Sequence, residues 1–250
     1  METRVLNDCF EPKLTFSKQQ DLIWTVLWPS GMLRSCNGEL EQLLLEQTKK
    51  LWEKQNRHPG DRFRLFRAVG KIVAPKSVIY PGSYVDVAAS FVFPDVTYVD
   101  VDRRAKRFFE DEEGVREIIV KHGDNPSNSR FSFIHSDYTK LDLPRQSFDL
   151  LISLYAGFIS EHCTDFLKIG GHLLVNPSHG DAALASIDER YRLVGAVISR
   201  SGDYRISQSN LSKYLQPKRP VIVTRELLFS INRGIAYTRP AFAYLFERVA

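Results

Sequence analysis

The sequence predicts an α/β protein, with a doubly wound, mostly parallel sheet, an antiparallel C-terminal strand pair and an N-terminal helical extension. Three observations predict it. From Pro75 onward, short apolar runs recur at Ser77–Tyr80, Val96–Val99, Phe131–His135, Phe148–Ser153 and His172–Val175, each of strand length and separated by longer segments. The 15 residues between Tyr80 and Val96 are enough for the helical crossover that two parallel strands require. Beyond Val175 the rhythm changes. Tyr191–Ser199 and Tyr204–Ser207 flank Arg200-Ser201-Gly202-Asp203, the signature of a hairpin.

Taken in order, the elements begin with a short helix expected over Ser17 to Leu27, closed by Trp28-Pro29. Glu39 to Gln55 sets Leu40, Leu43, Leu44, Leu51 and Trp52 at three- and four-residue spacings, one apolar stripe of a helix. Asp61 reads as the N-cap of a second helix with Leu65, Ala68, Val69 and Ile72 inside. Within the sheet region the clearest helix is Asp102 to Phe109. Helical stretches at Asn210–Leu215 and Thr224–Arg233 form an insertion over about 208–238, ahead of a last strand at Phe242–Arg248. The chain is therefore expected to divide into an N-terminal helical extension or lid, 1–60, and a sheet domain, 61–250.

Composition narrows the classes. At 250 residues, 43% hydrophobic and 26% charged, the chain can bury a sizeable core. No apolar run reaches the roughly 18 residues of a membrane span, and "METRVLNDCFEPK" lacks the basic-then-apolar order of a secretory signal. Cys9, Cys36 and Cys163 are odd in number and have no paired spacing, so neither a disulfide framework nor a metal cluster is expected. A cytoplasmic setting without membrane contact follows as the expectation. The net charge is +4, and basic residues gather at Arg57, Arg62, Arg64, Arg67, Lys71 and Lys76, and again at Lys213, Lys218, Arg219 and Arg225. Such groups suit either a nucleic-acid footprint or a solvated helix face. His58, His122, His135 and His172 show no ligand spacing, and no metal site is expected.

The stretch "SVIYPGSYVDVAAS", Ser77 to Ser90, runs from strand through a sharp turn to small residues and reads as a strand, turn and helix start. Its turn holds one glycine, Gly82, where a pyrophosphate-binding loop needs about three, which argues against a nicotinamide enzyme. Gly82 is read as leaving bare backbone for a ligand, with a helix starting near Tyr84 to Val87 turning unpaired N–H groups toward the same space.

Five segments in order resemble the class I S-adenosylmethionine-dependent methyltransferases. "SVIYPGSYVD" resembles the first strand and its glycine motif, "VTYVDVD" the second strand with its terminal acid, and "FIHSDY" the third. "SFDLLISLYAGF" resembles the fourth strand, and "FLKIGGHLLVN" is similar to the family's turn into the fifth. The resemblance covers roughly 61–250 and implies a Rossmann-like, seven-stranded sheet. It implies S-adenosylmethionine as cofactor and methyl transfer to an acceptor that the sequence does not identify, whether small molecule, protein or nucleic acid. It also implies a cofactor site made of Tyr80, Pro81, Gly82, Ser83, Tyr84 and Asp86 in the first loop, Asp100 and Val101 after the second strand, Asp137 and Tyr138 after the third, and Leu154 and Tyr155 after the fourth. Asp100 would accept from the ribose hydroxyls, and Asp137 from the adenine amino group with Ser136 and Tyr138 beside the ring.

The first loop departs from the family pattern. The usual acid ending the first strand is Tyr80, and the glycines two and four residues beyond Gly82 are Tyr84 and Asp86. Asp86 either replaces the missing acid opposite the methionine ammonium or is a first-turn acid favoured by a helix dipole. No general base stands out; Tyr155, His162, Asn176 and His179 lie near the expected strand ends. The departures leave open a second reading, a methyltransferase-like binding or regulatory module without turnover.

Overall fold

The computed structural model describes residues 36–124 and 129–250. The chain divides into two compact units, Met1–Leu43 and Leu44–Ala250. The helix expected at Ser17 to Leu27, with the Trp28-Pro29 that closes it, lies outside the described residues. Among these residues no helix is long and apolar enough to cross a membrane.

Helix α1, Cys36–Gln55, buries Trp52 and Thr48, while Leu43 and Leu44 are exposed. Helix α2, Asp61–Val73, starts where Asp61 was expected to cap it, but the cap is Gly60, whose φ of 74° turns the chain into the helix without a side-chain bond. The Asp61 carboxylate instead accepts the Tyr204 hydroxyl at 2.9 and 3.0 Å. The inner face of α2 is Leu65, Phe66 and Val69, and Ile72 is exposed.

The sheet has eight strands: β1 (Val78–Pro81), β2 (Asp95–Asp100), β3 (Arg130–His135), β4 (Phe148–Ser153), β5 (Leu167–Val175), β6 (Tyr191–Arg200), β7 (Asp203–Ser207) and β8 (Ala243–Arg248). Their order is β3-β2-β1-β4-β5-β8-β6-β7. β1 to β5 are parallel neighbours; β8 lies antiparallel between β5 and β6, and β7 pairs antiparallel with β6 at the edge. This is the Rossmann-like α/β architecture typical of class I methyltransferases; its eight strands are the eight runs read from the sequence, one more than the seven the resemblance implies. The hairpin turns on Ser201 and Gly202, both at positive φ, which matches the twist of the flanking strands.

Alternation along the strands divides the core. Val78 and Tyr80 of β1, with Leu150 and Ile152 of β4, pack on one face against α2, α3 (Arg103–Glu110) and α4 (Glu112–His122). Ile79 and Leu151 point the other way, toward α5 (Ile159–Cys163) and α6 (Asp181–Ile187). Asp149 at the start of β4 fastens β1 beside it, accepting from the N–H groups of Lys76 and Ser77, the Ser77 hydroxyl and Lys168 Nζ.

Three expectations change in detail. The first crossover is not an α-helix: beyond the turn at Gly82 it holds a single 3-10 turn, Ala88–Phe91. Val85, Val87, Ala88, Ala89, Phe91 and Phe93 are all buried, so the segment has no solvent face for an amphipathic helix to present. Tyr98 satisfies the irregular backbone instead, its hydroxyl accepting the Ser90 N–H and donating to the Val87 carbonyl, both at 3.1 Å. β5 begins at Leu167, so Gly170-Gly171 sits within the strand rather than in a turn before it. The insertion between β7 and β8 holds a 3-10 turn at Leu211–Tyr214 and a helix α7, Arg225–Ile231, capped by the Thr224 side chain.

Candidate functional site

The strand order reverses between β1 and β4, the position where open α/β sheets leave a crevice beyond the strand ends. A cleft of about 440 Å³ opens there, lined by Gly82, Val99, Asp100, Val101, Ser136, Asp137, Tyr138, Thr139, Tyr155 and Ala156. Seven of the residues expected at a site are thus brought to one cavity: Gly82, Asp100, Val101, Ser136, Asp137, Tyr138 and Tyr155.

Gly82 has φ 67°, and its N–H donates to the Val99 carbonyl at 2.8 Å. A Cβ at this position would stand 2.1 Å from the Ala156 methyl, so the neighbour that demands glycine is the loop after β4. Tyr84 also has positive φ, 50°, and its N–H donates to Asp100 Oδ2 at 2.7 Å. Its ring lies beside the Arg104 guanidinium, 5.1 Å away, and is not part of the cleft lining. Asp100 Oδ1 accepts the Asp102 N–H at 2.8 Å. Each Asp100 oxygen therefore spends one lone pair on the backbone and keeps one.

After β3, Asp137 caps a 3-10 turn, its Oδ1 accepting from the Thr139 N–H and hydroxyl, both at 2.9 Å. These bonds hold its carboxyl below the ordinary range. Burial pushes the Tyr138 phenol upward, with Asp137 adding to the effect, and the Tyr138 ring lies 5.8 Å from that of His162. After β4, Tyr155 has φ 61° and is 52% exposed. The buried side chain of Asn176 fixes it, Oδ1 accepting the Tyr155 N–H at 3.2 Å and the Ser178 hydroxyl at 3.0 Å. Asp181, buried at the start of α6, binds the hydroxyls of Ser153 and Ser160 and so ties the same loop at both ends. Nothing in the sequence pattern pointed to that bond.

Tyr80, Pro81, Ser83, Asp86 and Leu154 are buried and do not line the cleft. Asp86 opens no helix; its Oδ1 accepts the Ala88 N–H at 3.1 Å, its Oδ2 accepts the Tyr80 hydroxyl at 3.1 Å, and Arg62 Nε stands 3.5 Å away. Burial raises the Asp86 pKa, while the Arg62 charge and the two hydrogen bonds oppose the rise. Arg62 reaches further, its guanidinium lying 5.1 Å from the centre of the Tyr155 ring. The sequence showed Arg62 only as one of a run of basic residues. Others of that run also make contacts within the fold: Arg64 with the Gly202 carbonyl and Arg67 with Asp124. Among the described residues no three His, Cys, Asp or Glu side chains group as a metal site.

No family model and no curated protein matches the sequence. Solved structures similar to the chain include the N-methyltransferase NodS from Bradyrhizobium japonicum in complex with S-adenosyl-L-homocysteine, at 15% identity and TM-score 0.43, covering 68% of this chain and 98% of that one. The tRNA (m1A58) methyltransferase TrmI from Aquifex aeolicus matches at 14% identity and TM-score 0.40, covering 74% of this chain and 68% of that one. A SAM-dependent methyltransferase from Aquifex aeolicus matches at 17% identity and TM-score 0.37, with 51% and 71% covered. The fold assignment itself rests on the order and directions of the strands.

Proposed function

We propose that the chain binds S-adenosylmethionine in the cleft beyond β1 to β4 and transfers its methyl group to an acceptor, be it a small molecule, a protein or a nucleic acid. The observation that carries this reading is the arrival of two acids, Asp100 and Asp137, from successive strand ends at one cleft beside the strand-order reversal. The donor set fits the cofactor. Asp100 keeps one lone pair on each oxygen for a pair of ribose hydroxyls, a charge-assisted arrangement. Asp137 uses Oδ1 for Thr139 and leaves Oδ2 for an amino donor. Val101, 61% exposed, offers apolar surface to a purine.

When bound, the cofactor supplies an electrophilic methyl on a sulfonium, whose transfer disperses charge rather than creating it. Alignment then carries most of the work. Tyr155, fixed through Asn176, and Tyr138, half-buried across the cleft, flank the space in which the ligand is held. With its pKa raised by burial, the Tyr138 phenol stays protonated at neutral pH and is a hydrogen-bond donor beside the adenine, not a base.

The second reading, a binding module without turnover, draws on the first loop. Tyr80 stands in the strand-end acid position with its hydroxyl committed to Asp86, and no α-helix starts in the first crossover. Calorimetry with S-adenosylmethionine, S-adenosylhomocysteine and NAD separates the readings, together with a labelled-methyl assay over metabolite, RNA and protein pools. Binding of the first two with label transfer supports the enzyme, and binding without transfer supports the module. Failure to bind any of the three overturns the enzyme reading and favours the module, and binding of NAD alone overturns both.

A further inference from the structure

The insertion between β7 and β8, residues 208–240, holds six basic side chains, Lys213, Lys218, Arg219, Arg225, Arg233 and Arg239, against a single acid, Glu226. All six are exposed, and among the described residues only Arg225 has an acidic partner, Glu161. The other basic run, Arg57 to Lys76, differs in this respect, since Arg62, Arg64 and Arg67 make contacts within the fold. A short antiparallel ladder gathers the free cations of the insertion. The Lys218 N–H donates to the Ala236 carbonyl at 2.8 Å, the Thr238 N–H donates to the Gln216 carbonyl at 2.9 Å, and Pro217 faces Tyr237 between them. Tyr237 is buried, so strand alternation turns its neighbours outward, and Gln216, Lys218, Ala236 and Thr238 are all exposed. At one end the Arg239 guanidinium lies 4.4 Å from the centre of the buried Tyr214 ring, next to Lys213; Arg219 and Arg233 continue the ladder at the other.

The insertion stands beside the cofactor cleft. The Gly234 N–H donates to the Ser178 carbonyl at 2.9 Å, and the Ser178 hydroxyl binds the same Asn176 that holds Tyr155. The Phe229 ring lies 4.5 Å from that of Phe158, three residues beyond Tyr155. Unpaired Lys and Arg among exposed Gln208, Asn210, Ser212, Gln216 and Thr238 are the residue types that contact phosphates. A protein partner fits less well, because Lys and Ser are depleted in protein–protein interfaces. Past Pro220 the surface continues with Val221 and Ile222, 40% and 85% exposed. A duplex keeps its bases stacked inside and offers these side chains nothing, whereas unpaired bases present apolar faces. We propose that single-stranded nucleic acid docks on this insertion, with its phosphates along the ladder and its bases toward Val221 and Ile222. The docking does not depend on methyl transfer.

The test is fluorescence anisotropy on the full chain with a labelled oligouridylate of about 12 nucleotides. Saturable binding is expected, weakening about tenfold or more between 50 and 200 mM salt, as neutralising about three phosphates requires. Lys218→Glu combined with Arg219→Glu is expected to weaken binding at least tenfold at unchanged melting temperature, both side chains being exposed. Lys71→Glu combined with Lys76→Glu makes the same change of charge on the other basic run, also at exposed positions, and is expected to leave binding almost unaltered. Absence of saturable binding at 50 mM salt overturns the proposal, as does an equal loss in the two pairs or a loss in neither. Equal competition by polyglutamate overturns it in favour of an acidic protein, and equal competition by a duplex of the same length overturns the assignment to a single strand. Failure of the proposed cofactor binding shows separately, as no binding of S-adenosylhomocysteine.

Discussion

The hydroxyl of Tyr80 donates to the buried carboxylate of Asp86 at 3.1 Å, and Arg62 Nε approaches the same oxygen at 3.5 Å. A strand-end aromatic, a loop acid and a helix cation thus form one group under the first loop. Tyr80→Phe keeps the ring contacts with Phe66 and Tyr98 but removes a donor from a buried acceptor. The expected loss is about 1–3 kcal/mol of stability, read from the urea midpoint. An unchanged midpoint would show that the bond contributes nothing.

Gly82→Ala is expected to destabilise strongly, because the new methyl would meet Ala156 Cβ and the residue would remain at φ 67°. The two contributions separate in a double variant. Gly82→Ala with Ala156→Gly relieves the clash and should recover most of the loss, leaving about 1 kcal/mol for the left-handed backbone. Thermal denaturation of the three proteins checks this. If the double variant melts no higher than Gly82→Ala, the contact is not the reason for the glycine.

Asp149 gives a pH signature. Burial alone would raise its pKa, but hydrogen bonds from Lys168, Ser77 and Lys76 outweigh it and hold the carboxyl below its ordinary 3.8. A depressed folded-state pKa means that the folded protein resists protonation more than the unfolded chain does. Its stabilisation is therefore complete above about 3.8 and is lost as pH falls through the lower folded value. The difference in stability between the native protein and Asp149→Asn should be level from pH 7 to 5 and shrink below pH 4. A difference that widens in acid would contradict the assignment.

Val101→Trp addresses the cleft without disturbing the core, since Val101 is 61% exposed and lines the cavity. A surface change of this kind typically alters stability by less than about 0.5 kcal/mol. The variant should melt as the native protein does, yet show no thermal shift with S-adenosylhomocysteine at a concentration that shifts the native protein by several degrees. A retained shift would move the cofactor elsewhere.

Much of this was legible in the chain. Strand length, alternation and crossover length located all five parallel strands, and the Ser201-Gly202 turn announced the hairpin, because backbone geometry at those places depends on neighbours close in sequence. Asp100, Asp137 and Tyr155 could be placed at one cleft because strand ends in a parallel sheet share an edge whatever the side chains are. The first crossover was not legible. Small and apolar residues from Val85 to Ala89 suit a helix equally well, and only the Tyr98 hydroxyl arriving from β2 makes the irregular path satisfiable.

Local pattern by itself determined the elements, their order and the acids at the strand ends, since those follow from short-range periodicity and turn chemistry. Tertiary structure alone decided that Gly82 answers to Ala156, that Asp61 binds Tyr204 rather than capping its helix, and that Arg62 joins Asp86 to Tyr155. Each is a contact between residues distant in the chain or set by how elements pack, and its energy exists only once the sheet and its helices have closed around it.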